Sequence, residues 1–374
     1  MIKVIMNFNE LDVFLEFLVL NEIIPAMQVA IGIDNDIVYD KSFGKIYEIN
    51  KYVDGDDLFD IASLTKIFSG ACFAKLLQEE AFKLEDPVCK YFPQLNNIRP
   101  IIKNGKKIGE NDCSKITWWN VLTHSTGFGR ILYRSDLKVK KIEDVFKAPV
   151  VYRTGERVIY NDLPIILMGR AMEMKTNTRL NRLIREKILN PLNLFNIGYI
   201  DEEFKPKLNK IIPTGYDKVY RKRLIWGSVN DGKAYNLNGI SAHAGIFSNA
   251  RDICKFMMHF NKCLTTDGIL NKDIAREMVK DQINDKGDRR GLVWKLSNNS
   301  QNAYSRNIYP FGYGHEGFTG CFAWNEPNKK LSMVLLSNDI YNGKNNRQLL
   351  RYKNRIMKMI LKSTGNDIIG KKNY

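Results

Sequence analysis

Residues 59–70 read FDIASLTKIFSG. An apolar entry through Leu58, Phe59, Ile61 and Ala62 gives way to Leu64, Ile67, Phe68, Cys72, Phe73, Leu76 and Leu77, which recur at helical spacing. The spacing predicts an amphipathic helix over 63–80 that Ser63 opens. Residues three apart share a helix face, so the Lys66 amine is placed beside the Ser63 hydroxyl. A serine alcohol is a poor nucleophile near neutrality and needs a neighbouring base and an electropositive place for the oxyanion. A helix start offers unpaired N–H groups and the positive end of the helix dipole. The S-x-x-K spacing occurs twice more, at Ser42/Lys45 on a strand end and at Ser135/Lys138 in a polar loop. By itself it also describes a plain N-cap serine, so its meaning depends on the rest of the chain.

Working outward, the segment from about 10 to 21 has the pattern of an amphipathic helix with Asn7 or Asn9 near its cap. Residues 27–33 and 37–43 flank the turn-forming Asp34-Asn35-Asp36 and predict a β-hairpin. Helices are expected over 161–174, 178–189 and 249–263, and strands over 290–296, 319–326 and 331–338. A closing helix is expected over about 345–362, and a loose tail beyond 366. This order implies an α+β fold. One antiparallel sheet is drawn from both chain ends and flanked by the terminal helices. Residues 1–62 and 290–374 would form that sheet domain. Residues 63–289 would form a mainly helical domain, with the Ser63 helix at the interface.

The 374 residues are 44% hydrophobic and 26% charged, which suits a globular protein. No apolar stretch reaches the roughly 18 residues of a membrane span. The nearest, 11–27, is broken by Glu16, Glu22 and Pro25. The N-terminus lacks the basic start and cleavage site of a secretory signal, so a cytoplasmic location is expected. Six cysteines without a C-x-x-C pair fit reduced thiols. The net charge of +16 is spread along a Lys- and Asn-rich chain without a nucleic-acid-binding motif, so no nucleic-acid partner is expected. Four histidines, none at H-x-x-x-H spacing, give no zinc set, and no glycine-rich phosphate loop is present. No metal or cofactor is expected.

Four further segments accompany FDIASLTKIFSG in order. They are WWNVLTHSTGF (118–128), TGERVIYNDLPIILMG (154–169), YNLNGISAHAGIFSNARDICKF (235–256) and GHEGFTG (314–320). Together they resemble the serine β-lactamase and D,D-peptidase (penicillin-binding protein) superfamily, in its class C and esterase-like branch. The resemblance runs over about 10–362 and implies a β-lactamase/transpeptidase-like fold.

It also implies roles. Ser63 would attack a carbonyl and become acylated. Lys66 and Tyr160 would share the proton transfers, and His315, where the family has Lys or His, would keep Tyr160 poised. The N–H groups of Ser63 and Phe318 would form the oxyanion hole beside Gly317. His124 would hold loop backbone, and His243 would border the cleft. Two positions depart from the family. Asp162 replaces the usual Asn, so an acceptor-only carboxylate stands where an amide could also donate. That charge favours the protonated Lys66. Glu316 replaces the Thr of H-T-G and adds negative charge where a β-lactam carboxylate would bind. The resemblance implies a small-molecule ester, amide or β-lactam as substrate, and these two departures, with the missing export signal, favour an esterase or peptidase over an efficient β-lactamase. The competing expectation is a catalytically idle module that binds cell-wall fragments in the same cleft.

Overall fold

In the computed structural model, residues 6–129, 139–297, 312–343 and 348–365 are described. The Ser135/Lys138 pair and the 366–374 tail lie outside them. The hairpin forms as Ala26–Ile33 and Asp36–Ile46, joined through Asp34 in left-handed backbone (φ 58°). Ala26–Ile33 is a central strand of a nine-stranded antiparallel sheet. Its other neighbour is Leu331–Ser337, with Val29 opposite Leu335. Cys321–Glu326 follows, and then Tyr313–Gly317.

Both faces of this sheet are covered, which explains the near-continuous apolar runs of its central strands. Side chains alternate between faces along a strand. Met27, Val29, Ile31, Met333, Leu335, Phe322 and Trp324 pack with Leu11, Leu15 and Leu18 of the first helix and Ile356 and Ile360 of the last. Ala26, Ala30, Ala323, Val334 and Leu336 face the larger core that contains the Ser63 segment. The terminal helices span Asn9–Leu20 and Leu349–Ser363. Helix Ala250–Cys263 packs on the inner face, where Asn325 Nδ2 donates to the Met257 carbonyl at 2.9 Å. Among the described residues no helix is long and apolar enough to cross a membrane.

Four expectations change in detail. Ser63 lies in a short 3₁₀ turn, Ala62–Leu64, and the α-helix proper is Thr65–Gln78. That helix is not amphipathic, because every residue from Thr65 to Ala74 is buried; a helix packed on all sides carries no polar stripe. The segment 290–296 is two strands, Asp288–Arg290 and Lys295–Leu296. Between them the chain leaves the sheet to press Val293 on the Ser63 helix at Gly70, where a Cβ would come within 2.5 Å of Val293 Cγ2. The sheet also begins earlier than residue 290, since Ile283–Asp285 is its edge strand.

Phe68 is fully buried on the same helix, with its ring 4.4 Å from that of Phe256. Phe68→Ala is expected to lower unfolding free energy by about 3–5 kcal/mol, the usual cost of a large aromatic cavity. Denaturant melts of the two proteins check this.

Candidate active site

Ser63 is presented by a strained turn. Ala62 adopts left-handed backbone (φ 46°), unfavourable for a residue with a Cβ. Its N–H is held by Asp60 Oδ1 at 2.9 Å, and Asp60 Oδ2 accepts from the Asn230 N–H at 2.6 Å. The 3₁₀ turn runs straight into the α-helix, and residues three apart along such a helical run share a face. Lys66 Nζ accordingly donates to Ser63 Oγ at 2.9 Å. The strand end carrying Gly317 is fastened to the same turn. A Cβ at Gly317 would meet the Ile61 carbonyl at 2.5 Å, and Thr319 Oγ1 donates to the Asp60 carbonyl at 2.7 Å. This close approach brings Gly317 and Phe318 alongside the segment 60–63. Phe318 is 39% exposed at the mouth.

Tyr160 arrives on a loop organised by 123–126. Ile159 N–H donates to the His124 carbonyl at 2.8 Å, and Gly155 N–H to the Ser125 carbonyl at 2.7 Å. His124 itself has φ 57°, and its ring packs 4.7 Å from that of Tyr160. Its part is thus to support the loop backbone. Tyr160 Oη donates to Ser63 Oγ at 2.7 Å, so phenol and amine converge on one hydroxyl.

Lys66 is fully buried. Burial alone would lower its pKa, but the Asp162 carboxylate and Tyr160 prevail and hold it raised, so the amine is charged. Asp162 Oδ1 lies 2.8 Å from Lys66 Nζ. Burial pushes Asp162 up, and Lys66, Lys233 and His243 together bring it well below the usual carboxylate range. Burial also raises the Tyr160 phenol, against the opposing pull of Lys66. The resting site therefore holds its protons.

His315 stands on the strand Tyr313–Gly317 with its ring 5.8 Å from that of Tyr160. Burial, then the Lys66 and Arg290 cations, push its pKa down to about 3, so it is a neutral imidazole. It can thus supply hydrogen bonding but not positive charge. Its Nδ1 lies against the Glu316 backbone, 2.9 Å from N and 2.8 Å from O, and Nε2 has no hydrogen-bond partner among the described residues.

Glu316 is a correction. Its charge is expected where a substrate carboxylate would bind, but it sits opposite Phe322, on the sheet face covered by the terminal helices. Its carboxylate pairs with Lys353 of the last helix, and lies 3.5 Å from Lys295. Burial raises its pKa, and these two lysines bring it down to about 2. Strand alternation is the reason: His315 faces the cleft, so its neighbour faces away.

His243 borders the cleft through its backbone, with its ring turned away. Its imidazole is 1% exposed, with Nε2 2.8 Å from Asp231 Oδ1 and Nδ1 2.8 Å from Ser241 Oγ. What it offers to the cleft is its carbonyl, which accepts from Lys66 Nζ at 2.9 Å. Asp162, Asp231 and His243 bring potential metal-ligand atoms within 4.8 Å of one another. Lys233 Nζ, however, lies 3.2 Å from each carboxylate, and Lys66 takes the other Asp162 oxygen. Two ammonium groups already balance the two carboxylates, so the donor set does not fit a cation.

Sequence reasoning missed Asp231, Lys233 and Arg290, whose guanidinium lies 5.8 Å from the Tyr160 ring centre. They fall between the recognisable segments, and no local spacing marks them.

An antiparallel sheet with both terminal helices on one face, and serine, lysine and tyrosine meeting at the other, defines a class of serine hydrolases. The chain belongs to the β-lactamase family, whose model matches residues 18–356. An Escherichia coli K12 protein named "Putative D-alanyl-D-alanine carboxypeptidase" is 28% identical over 353 residues, covering 84% of this chain and 78% of that protein. The structure of an octameric penicillin-binding protein homologue from Pyrococcus abyssi superposes with TM-score 0.72 at 22% identity, covering 97% of this chain and 78% of that one. A class C β-lactamase from Rhodobacter sphaeroides superposes with TM-score 0.71 at 17% identity, covering 94% and 99%. At these identities the two structures speak to fold alone, and that fold is the β-lactamase/transpeptidase-like one.

Proposed function

We propose that this serine hydrolase cleaves a small ester or amide through an acyl-enzyme on Ser63. The observation that carries the reading is that Ser63 Oγ lies within hydrogen-bond reach of both Lys66 Nζ (2.9 Å) and Tyr160 Oη (2.7 Å). Both distances fall in the range expected of a nucleophile and its proton acceptors. Attack requires one proton to leave the Ser63–Lys66–Tyr160 set. Lys66 or Tyr160 takes the Ser63 proton as the C–O bond forms and returns it to the leaving group. The N–H groups of Ser63 and Phe318 receive the oxyanion. Water then cleaves the acyl-enzyme, restoring Ser63.

Asp162 favours esters. An ionised carboxylate only accepts, and cannot donate to an amide carbonyl as an Asn could. Glu316 no longer argues against anionic substrates, because its charge is turned away and neutralised. All six cysteines are free, and five are buried, which supports a reducing compartment.

The test is covalent trapping. Intact mass is measured after incubation with a fluorophosphonate and with a fluorescent penicillin, on the wild type and Ser63→Ala. One adduct on the wild type and none on Ser63→Ala is expected. Labelling by the phosphonate alone supports an esterase, and labelling by both supports a penicillin-interactive enzyme. No labelling by either overturns the acyl-enzyme reading and favours the idle binder.

A further inference from the structure

Lys66 belongs to a closed ring of polar contacts of which the acyl-enzyme chemistry uses only one part. Lys66 Nζ meets Asp162 Oδ1 at 2.8 Å, and Asp162 Oδ2 meets Lys233 Nζ at 3.2 Å. Lys233 Nζ meets Asp231 Oδ2 at 3.2 Å, and Asp231 Oδ1 meets His243 Nε2 at 2.8 Å. The His243 carbonyl returns to Lys66 Nζ at 2.9 Å. Signs alternate around the ring: ammonium, carboxylate, ammonium, carboxylate. Lys233 is fixed by more than its charge. Asp231 caps the short helix Gly232–Asn236, accepting from the Lys233 and Ala234 N–H groups at 2.9 Å each. The carboxylate that meets the lysine's ammonium thus also pins its backbone.

We propose that Lys233 is a positioning residue for the reaction: by bridging Asp162 and Asp231 it limits the hold of Asp162 on the Lys66 ammonium, and so sets the pH at which Ser63 can be acylated. The proposal rests on the reading of Ser63, Lys66 and Tyr160 given above. The physical reason is charge. Without Lys233, two partly buried carboxylates a few ångströms apart would face only the fully buried ammonium of Lys66. Lys66 would then bind its proton more tightly.

The other groups around Lys66 do not replace this balance. Tyr160 is a protonated phenol, and its ring centre lies 5.0 Å from Nζ. The His124 and His315 rings are kept neutral by burial. Arg290 is a nearby cation, but Asp288 holds it at 2.8 and 3.1 Å. Behind Asp231 stand the buried Asp60 and Arg221, which pairs with Asp217 at 3.1 Å. Only Lys233 touches both ring carboxylates among these groups.

The experiment follows the rate of fluorophosphonate labelling of Ser63 against pH for the wild type, Lys233→Met, Lys233→Arg and Asp231→Asn. Lys233→Met is expected to label about tenfold more slowly near neutrality, with the deficit closing as pH rises. Lys233→Arg restores the wild-type profile. Asp231→Asn, which keeps a helix-capping side chain but removes a negative charge, shifts the rising limb the opposite way, to lower pH. A Lys233→Met profile superimposable on that of the wild type overturns the proposal. So does an equal, pH-independent loss in Lys233→Met and Lys233→Arg, which marks a purely structural role. If the wild type takes no label, the nucleophile reading falls by itself. The ring is then judged by lysine-selective NMR of Lys66: titration displaced to higher pH in Lys233→Met upholds it, and unmoved titration overturns it.

Discussion

Replacing Tyr160 by phenylalanine is expected to slow acylation of Ser63 by about 10²–10⁴-fold, the range typical of a lost proton-transfer group. The phenol reaches Ser63 Oγ at 2.7 Å, and with Lys66 held charged by Asp162 it is the group that accepts the Ser63 proton once the set has lost one proton. The ring's packing against His124 survives in phenylalanine, so the fold should persist. Stopped-flow acylation by a p-nitrophenyl ester, with a thermal melt as control, separates the two. A variant that retains wild-type acylation would assign the proton transfer to Lys66 alone.

Asp162→Asn is expected to have the next largest effect, with a pH dependence of definite sign. The carboxylate is the chief neighbour raising the Lys66 pKa against burial. Without it, burial dominates and the pKa falls, because a buried ammonium is disfavoured. The neutral amine is then present at lower pH. The rising limb of kcat/KM should move toward acid, giving a gain of about tenfold or more on its acid side. Stability should respond oppositely. Breaking a buried ion pair costs about 3–5 kcal/mol while the orphaned charge persists. That cost should be full above the ordinary carboxylate pKa, where Asp162 is ionised in folded and unfolded chains alike, and shrink at higher pH as the variant's Lys66 amine sheds its proton. Melts and rate profiles on the same samples test both signs. A rising limb that stays in place would remove Lys66 titration from the mechanism.

The segments that met around Ser63 were legible in the sequence because each is local. S-x-x-K fixes two groups on one turn, and the Tyr160 and His315 segments carry recognisable neighbours. Asp162 was legible as a carboxylate next to Lys66, and the structure puts the two 2.8 Å apart. The face of Glu316 was not legible: strand alternation decides it, but the register of Tyr313–Gly317 is set by partners distant in sequence. The ring through Lys233 was hidden for a similar reason. Asp231 and Asp162 lie far apart along the chain and are joined only by folding. One omission did have a signal. The hairpin Ile98–Lys103 with Lys106–Asp112 turns through Asn104-Gly105, both in left-handed backbone, a dipeptide that marks tight hairpins. The reading of 63–289 as mainly helical passed over it.

The strand Ala26–Ile33 lies between its hairpin partner and Leu331–Ser337, so Val29 waits for Leu335. Pairings this distant are slow to form, since chain closure precedes the contacts that reward it. During synthesis a ribosome would have released most of the polypeptide before that strand could acquire its second neighbour. The apolar face of the early hairpin would meanwhile stay open to water and to chaperones. Nascent chains arrested before residue 331 should therefore lack a finished cleft, however completely the Ser63 turn has emerged.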